Sequence, residues 1–291
     1  MILASIFTDY AFMRRALAGC LALSLGAVPL GVLLQLRRMS LLGEAMAHGI
    51  LPGAAIGYLL FGLSITAMSI GGLVAGLLVA LGAGVVNRYT DLAEDASLSG
   101  FYLISLASGM MLLSPAINQH SGNIDIMHLL FGSLLSLDNI SLYIIMAVTA
   151  FTLILLAILA RPLIAECVDP SFLRQVSPMG LWSHLLFLGL VALNLVAGFQ
   201  ALGTLMVVGL MMLPAITAKF WAQTLWGMIL VGWLVASSAS ILGLVFSFYM
   251  NWPSAPSIIL FCGAAYLFSV FFGKEQGILR QIIRPKSHFS G

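Results

Sequence analysis

Long apolar stretches dominate this sequence and restrict what it can fold into. Nine of them are close to the roughly 20 apolar residues that a helix needs to cross a lipid bilayer. They cover residues 16–36, 41–61, 64–86, 96–114, 139–160, 181–200, 202–219, 222–248 and 257–273. Only the glycine-bounded segment 198–203 separates two of them, so we expect either nine transmembrane helices or eight with one short or re-entrant segment.

The composition also indicates a membrane protein. The chain has 291 residues, of which 61% are hydrophobic and 8% are charged, whereas a soluble domain carries roughly 25% charged residues. We therefore predict an all-α polytopic membrane protein in which residues 1–291 form a single transmembrane domain. No cleavable signal peptide or soluble domain is expected.

A net charge of +2 gives no indication of nucleic-acid binding, and three widely spaced cysteines suggest neither a disulfide framework nor a zinc knuckle.

The basic residues predict the orientation of the helices. If all nine stretches cross the membrane, ten cations fall on one side, which the positive-inside rule assigns to the cytoplasm. They are Arg37, Arg38, Arg88, Arg161, Arg174, Lys219, Lys274, Arg280, Arg284 and Lys286. The short tail 274–291 is then cytoplasmic. Arg14 and Arg15 are exceptions, which indicates either an interfacial N-terminal helix or a stretch that does not cross fully.

One apolar stretch contains an acid and an imidazole, Glu44 and His48. Four residues apart on a helix, they share one face. Ionisable groups within a membrane are costly and usually mark a functional site. Pro52 has no N–H for the His48 carbonyl, so Pro52 and Gly53 predict a helix break beside the pair, and Pro214 predicts a second one in a similar Leu-Pro-Ala segment.

A carboxylate and an imidazole together suit manganese or zinc. One chain offers only two such ligands at this turn, whereas two copies related by a two-fold axis would offer four, and two carboxylates would neutralise a divalent cation. This predicts a transient site between two copies. The alternative is a polar pair that hydrogen-bonds neighbouring helices and only stabilises packing.

Two loops carry further candidate residues. His120, Asp125 and His128, in and just beyond the loop 115–127, suit an outer mouth that guides a metal ion, or are simply solvated. In the cytoplasmic segment 161–178, Asp169 and Pro170 predict an N-cap and first position of a short helix over 170–176. That helix is expected to expose an apolar and basic surface. It is either an ordinary helix within a loop or a docking site for a partner protein. The residues of this surface are Phe172, Leu173 and Arg174.

No enzymatic motif is present in the sequence. It lacks a phosphate-binding loop for ATP, a metalloprotease motif and a nucleophile elbow. Two other classes of protein remain open on the residues alone. One is an ATP-independent secondary metal transporter or channel that uses the same Glu/His pair. The other is a membrane metalloenzyme built around His48, His120 or His128.

Three segments resemble the ABC-3 permeases, the membrane subunits of bacterial zinc, manganese and sometimes iron ABC importers. Residues 37–53 read RRMSLLGEAMAHGILPG and resemble the family signature. Residues 129–135 read LLFGSLL and resemble a family loop. Residues 203–218 read GTLMVVGLMMLPAITA and resemble a third segment of the family. The segment 166–177, which begins at Glu166, lies where the family has its coupling helix. The resemblance extends over nearly the whole chain.

The resemblance implies an ABC importer permease fold in the bacterial cell (inner) membrane. It implies a homodimer, two cytoplasmic ATPase subunits that supply ATP hydrolysis, and an extracytoplasmic metal-binding protein. The acid and the histidine of the first segment, here Glu44 and His48, would lie on the path of the transported Zn²⁺ or Mn²⁺, with no permanently bound cofactor. The family usually has Asp at the position of Glu44, so the metal preference is open.

Overall fold

The computed structural model describes residues 10–62, 64–90, 94–119, 134, 137–168, 179–275 and 277–279. These ranges contain nine α-helices of 16 to 30 residues and no β-strand. The helices are α1 (Ala11–Leu36), α2 (Ser40–Phe61), α3 (Ile65–Tyr89), α4 (Glu94–Gln119), α5 (Asn139–Val168), α6 (Met179–Leu202), α7 (Thr204–Lys219), α8 (Leu225–Met250) and α9 (Ser254–Phe272). The all-α prediction is confirmed, and each predicted stretch corresponds to one of these helices.

Apolar stretches occur in eight of the nine described helices. Five of them contain stretches long and apolar enough to cross it, and three contain shorter apolar stretches. The long stretches are Ala11–Leu36, Thr66–Val86, Asn139–Ala165, Leu225–Met250 and Ser254–Phe272. Because so many long apolar helices lie in one chain, the polytopic architecture predicted from composition is confirmed.

The helices form two packed groups joined through α6 and α7. Helix α1 packs against α5, α7 and α8, while α2 packs against α3 and α4. Helix α7 contacts members of both groups, including α1, α2, α8 and α9. The core therefore runs continuously from α1 through α7 to the helix that carries Glu44 and His48.

Glycines bring α2 and α3 into close contact. A Cβ added at Gly53 would overlap the carbonyl oxygen of Gly71, and one added at Gly71 would overlap the carbonyl oxygen of Gly53. One turn further along α2, a Cβ at Gly57 would lie 2.7 Å from the carbonyl oxygen of Ala67. Small residues at such spacing allow helix backbones to approach in membranes. They fix the position of α2 on α3.

The boundary between α6 and α7 explains the ambiguous pair of stretches. Gly203 adopts a left-handed backbone conformation with φ of 88°, which separates the two helices. Helix α7 has 16 residues, so it is about 24 Å long, less than the roughly 30 Å hydrocarbon core. The predicted short member of this pair is α7.

The predicted helix breaks at the prolines are wrong. Pro52 lies inside α2 and Pro214 lies inside α7, and both helices continue past them. Each proline still removes one backbone N–H. A neighbouring helix packs closely at both positions: a Cβ at Gly109 of α4 would lie 3.1 Å from the Pro52 nitrogen, and one at Gly232 of α8 would lie 3.3 Å from the Pro214 carbonyl oxygen. The helix therefore loses a hydrogen bond at Pro52 without ending there.

The exceptional cations at the N-terminus lie in the first turns of α1. Hydrogen bonds from the hydroxyl and backbone N–H of Ser141 lower the pKa of the Asp138 carboxyl at the start of α5, and the charge of Arg15 adds a smaller effect in the same direction. The Ser141 N–H donates to Asp138 Oδ1 at 3.0 Å, as expected for an N-cap aspartate. The N-terminal end of α1, which carries Arg14 and Arg15, therefore has a negative charge nearby.

Candidate metal site

Glu44 and His48 lie in the first half of α2, one helical turn apart. Glu44 is exposed in the single chain and His48 is half-buried. The helical conformation of residues 40–61 puts both side chains on one face, as the four-residue spacing predicts. An exposed carboxylate on an otherwise apolar helix is available to a cation or to a second protein surface.

The surroundings of the His48 imidazole satisfy only part of its capacity to form hydrogen bonds and contacts. Its Nδ1 atom is buried and has no hydrogen-bond partner within the described residues. The ring lies against that of Tyr102 on α4, with centroids 5.0 Å apart and an interplanar angle of 50°. A buried ring nitrogen that is not hydrogen-bonded is chemically suited to accept a proton or a metal ion.

Two other helices hold this turn of α2 in place. A Cβ added at Gly43 would lie 2.6 Å from Cε of Met212 and 2.7 Å from Cε of Met211, so α7 packs directly beside Glu44. Six residues further along α2, a Cβ at Gly49 would lie 3.0 Å from Val79 of α3. The pair is therefore mounted on a helix that α3, α4 and α7 restrain.

One chain does not provide a complete metal site in the described ranges. No group of three or more His, Cys, Asp or Glu residues comes together there. Structural metal sites are usually closed by four protein ligands, whereas two leave most coordination positions open. The arrangement therefore suits transient binding that is completed from outside this chain.

The other predicted site residues lie mostly outside the described ranges. These are His120, Asp125, His128, Asp169, Pro170, Phe172, Leu173 and Arg174. Glu166 falls in the last turn of α5, and its side chain is among those not described. Gly53 and Pro214 are buried and Pro52 is half-buried, each within its helix.

Two contacts near this region could not be predicted from the sequence. Tyr102 is 54 positions from His48, and no spacing rule connects them. At the end of α1, the Arg37 guanidinium donates from Nη1 to His184 Nδ1 at 3.3 Å and stacks 4.4 Å from the centroid of the Phe187 ring. Because guanidinium groups only donate, that imidazole nitrogen must be the acceptor. Arg37 therefore links α1 to α6 at the basic end of the bundle.

The fold and the site together define a class of protein. A bundle of apolar helices of this kind is a multi-pass membrane protein, and an ionisable pair on one of them is typical of a transport component. The profile of the ABC 3 transport family matches residues 9–273 of the 291. The chain belongs to the ABC 3 transport family and is a permease subunit of a cell-membrane ABC transporter, which implies ATP-hydrolysing and substrate-binding partner subunits.

Individual relatives agree with this assignment over almost the full chain. The manganese import system permease protein ScaB of Streptococcus parasanguinis is 29% identical over 268 residues, covering 92% of this chain and 93% of the relative. The chelated iron transport system membrane protein YfeD of Yersinia pestis is 26% identical over 277 residues, covering 95% and 90%. The structure of PsaBC from Streptococcus pneumoniae in complex with Fab superposes with a TM-score of 0.83 at 29% identity, covering 97% of this chain and 100% of that chain.

Proposed function

We propose that this permease passes a divalent transition-metal ion, manganese or zinc, inward across the membrane, and that Glu44 and His48 hold the ion in transit. The observation that carries the proposal is the pairing of an exposed carboxylate with an imidazole whose buried Nδ1 has no hydrogen-bond partner in the described residues, one turn apart on α2. Carboxylate and imidazole ligands suit both metals. The name of the Streptococcus parasanguinis relative supports manganese.

A second copy of the chain completes the site in this proposal. Two copies would bring two glutamates and two histidines to one ion, and the two carboxylates would cancel its charge. Glu44 is exposed in the single chain, so it is available for such an arrangement. Cancelling the charge lowers the cost of holding the ion in a medium of low dielectric constant.

Selectivity cannot come from raw affinity alone. Nitrogen and oxygen ligands bind zinc more tightly than iron(II), and iron(II) more tightly than manganese. A manganese importer must therefore select by geometry and by the metal that its binding protein delivers. The chelated iron transport protein from Yersinia pestis adds iron as a further candidate cargo.

The cytoplasmic segment that follows α5 couples the permease to its ATPase in this proposal. Helix α5 has 30 residues, so it is about 45 Å long and exceeds the roughly 30 Å hydrocarbon core. Its last turn, which contains Glu166, leads directly into the predicted docking residues Asp169, Pro170, Phe172, Leu173 and Arg174. A long helix can transmit a movement of these residues to the bundle. Metal ions would enter from the opposite side, past His120, Asp125 and His128.

Uptake by the assembled transporter tests this function. The permease is reconstituted in proteoliposomes with its two ATPase subunits and the metal-binding protein, and ATP-dependent uptake of Mn²⁺, Zn²⁺ and Fe²⁺ is measured one metal at a time. Glu44→Gln and His48→Ala should abolish uptake while the ATPase still copurifies. Glu275→Gln, which changes an exposed acid elsewhere, should transport normally. Normal uptake by both site variants would overturn the site, and uptake without ATP would indicate a secondary transporter or channel.

A further inference from the structure

A groove on the surface of the bundle is separate from the candidate metal site. It lies between α8 and α9 and has a volume of about 680 Å³. Its α8 wall includes Val231, Leu234 and Leu242, and its α9 wall includes Phe261 and Phe268. Val231 and Leu242 are 11 residues apart on one helix, so the groove is about 16 Å long.

The shape and lining of the groove suit a single hydrocarbon chain. Its floor is formed by small residues, since Ala239 is 3% exposed and Ala265 is half-buried, while the larger side chains stand at its rims. Leu234 and Phe268 are 62% and 55% exposed at these rims. An apolar channel with a narrow floor on the outside of a membrane bundle faces lipid.

One end of the groove is polar and closed by an indole. Trp221 lines this end, and its Nε1–H donates to Ser269 Oγ at 2.7 Å. The Ser269 hydroxyl in turn donates to the carbonyl oxygen of Ala265 at 2.7 Å. Tryptophan is enriched at the boundary between hydrocarbon and headgroups, where its ring is in lipid and its N–H is bonded. This end of the groove therefore lies at the membrane surface.

Two lysines flank the same end. The Glu275 N–H donates to the carbonyl oxygen of Phe220 at 3.0 Å, which holds the segment 219–221 beside the segment 273–275. Lys219 and Lys274 belong to these two segments; Lys274 is exposed and Lys219 is half-buried. The nearby Glu275 carboxylate accepts a hydrogen bond from Gln223. Two lysines thus belong to the segments next to the polar end of the groove, on the side that the positive-inside rule makes cytoplasmic.

We propose that this groove binds an anionic phospholipid of the cytoplasmic leaflet, with one acyl chain between α8 and α9 and the phosphate near Lys219 and Lys274. Basic pockets between transmembrane helices on this side of a membrane bind anionic headgroups. A second copy of the chain fits less well, because a two-fold contact through the same patch would bring the lysines of both copies together.

Native mass spectrometry of the delipidated permease–ATPase complex tests the proposal. The complex is titrated with phosphatidylglycerol and, separately, with phosphatidylcholine of the same acyl chains. We expect tighter binding of phosphatidylglycerol. The double variant Lys219→Gln/Lys274→Gln should weaken it by about 30-fold, since each cation near the surface contributes about a factor of five. Arg161→Gln, an exposed cation on another helix, is the matched control and should not change it.

A second variant tests the acyl chain without changing charge. Ala264→Phe fills the groove from an exposed position that lines it, and Leu267→Phe, an exposed neighbour outside the lining, is its control. The first should reduce phosphatidylglycerol binding and the second should not, with unchanged melting temperatures in lipid-free detergent. Equal binding of the two lipids, or phosphatidylglycerol binding that survives both the lysine and the groove variants, would overturn the proposal. A loss of contact between copies in Ala264→Phe, with lipid binding unchanged, would also overturn it and would assign the groove to a second copy.

Discussion

His48 on α2 and Tyr102 on α4 hold their rings 5.0 Å apart, and this contact orients the imidazole of the candidate site. A histidine ring is usually fixed by a hydrogen bond at one nitrogen, which also sets its tautomer. No such bond reaches the buried Nδ1 of His48 from the described residues. The Tyr102 ring therefore takes over the positioning that a hydrogen bond would otherwise provide.

Removing the aromatic ring at position 102 should weaken metal binding without removing a ligand. Tyr102→Leu is expected to raise the metal concentration for half-maximal uptake roughly 3- to 10-fold, the range that an aromatic contact represents. Tyr102→Phe keeps the ring and should stay close to wild type. Tyr249→Leu, which removes an exposed tyrosine from α8, is the control. If the Leu and Phe variants at position 102 are impaired equally, the hydroxyl matters instead of the ring contact. If both transport like the wild type, neither group matters, and in both cases the positioning role is wrong.

The close contact between α2 and α3 should be sensitive to a single methyl group. Gly53→Ala would push a Cβ into the carbonyl oxygen of Gly71, and such overpacking typically costs about 1–3 kcal/mol. We expect a lower apparent melting temperature in detergent and reduced uptake, because α2 carries the candidate site. In Gly84→Ala the added Cβ meets nothing within 4 Å, and alanine favours helix, so stability should be unchanged or slightly higher. Equal melting temperatures for the two variants would contradict this account of the packing.

The segment after α5 should control assembly with the ATPase without affecting the metal site. Phe172→Ala or Arg174→Glu is expected to lower the yield of the permease–ATPase complex and its ATP turnover, because the first removes an apolar anchor and the second reverses a charge. Pull-down and ATPase assays measure this. Lys286→Glu makes the same charge reversal in the C-terminal tail and should have little effect. An unchanged complex in both segment variants would remove the docking role from this segment.

The sequence predicts the helices well because their signal is local. Apolar length alone locates all nine helices of the described residues, and the 198–203 separator correctly indicates that one helix is short. The predicted breaks at Pro52 and Pro214 fail because a proline removes one hydrogen bond locally, while neighbouring helices decide whether the helix continues. The side chains that meet across helices follow no spacing rule.

The candidate site likewise contains features that the sequence predicts and contacts that it does not. The Glu44–His48 pair is visible in the sequence because a four-residue spacing on a helix is enough to place both groups on one face. Tyr102 and the contact of Arg37 with His184 depend on how distant helices pack, so no pattern indicates them. Asn194 is a further example: it is 1% exposed and donates to Thr152 Oγ1 at 2.7 Å, linking α6 to α5.

Direct detection of the ion on its ligands tests the central claim. Mn²⁺ is bound to the purified transporter complex, and electron spin echo envelope modulation is recorded to detect coupling between the manganese electron spin and a directly bound ¹⁴N nucleus. Histidine coordination at α2 predicts ¹⁴N modulation in the wild type and in Glu275→Gln, and its loss in His48→Ala. Modulation that is unchanged in His48→Ala would contradict the assignment of His48 as a ligand of the transported ion.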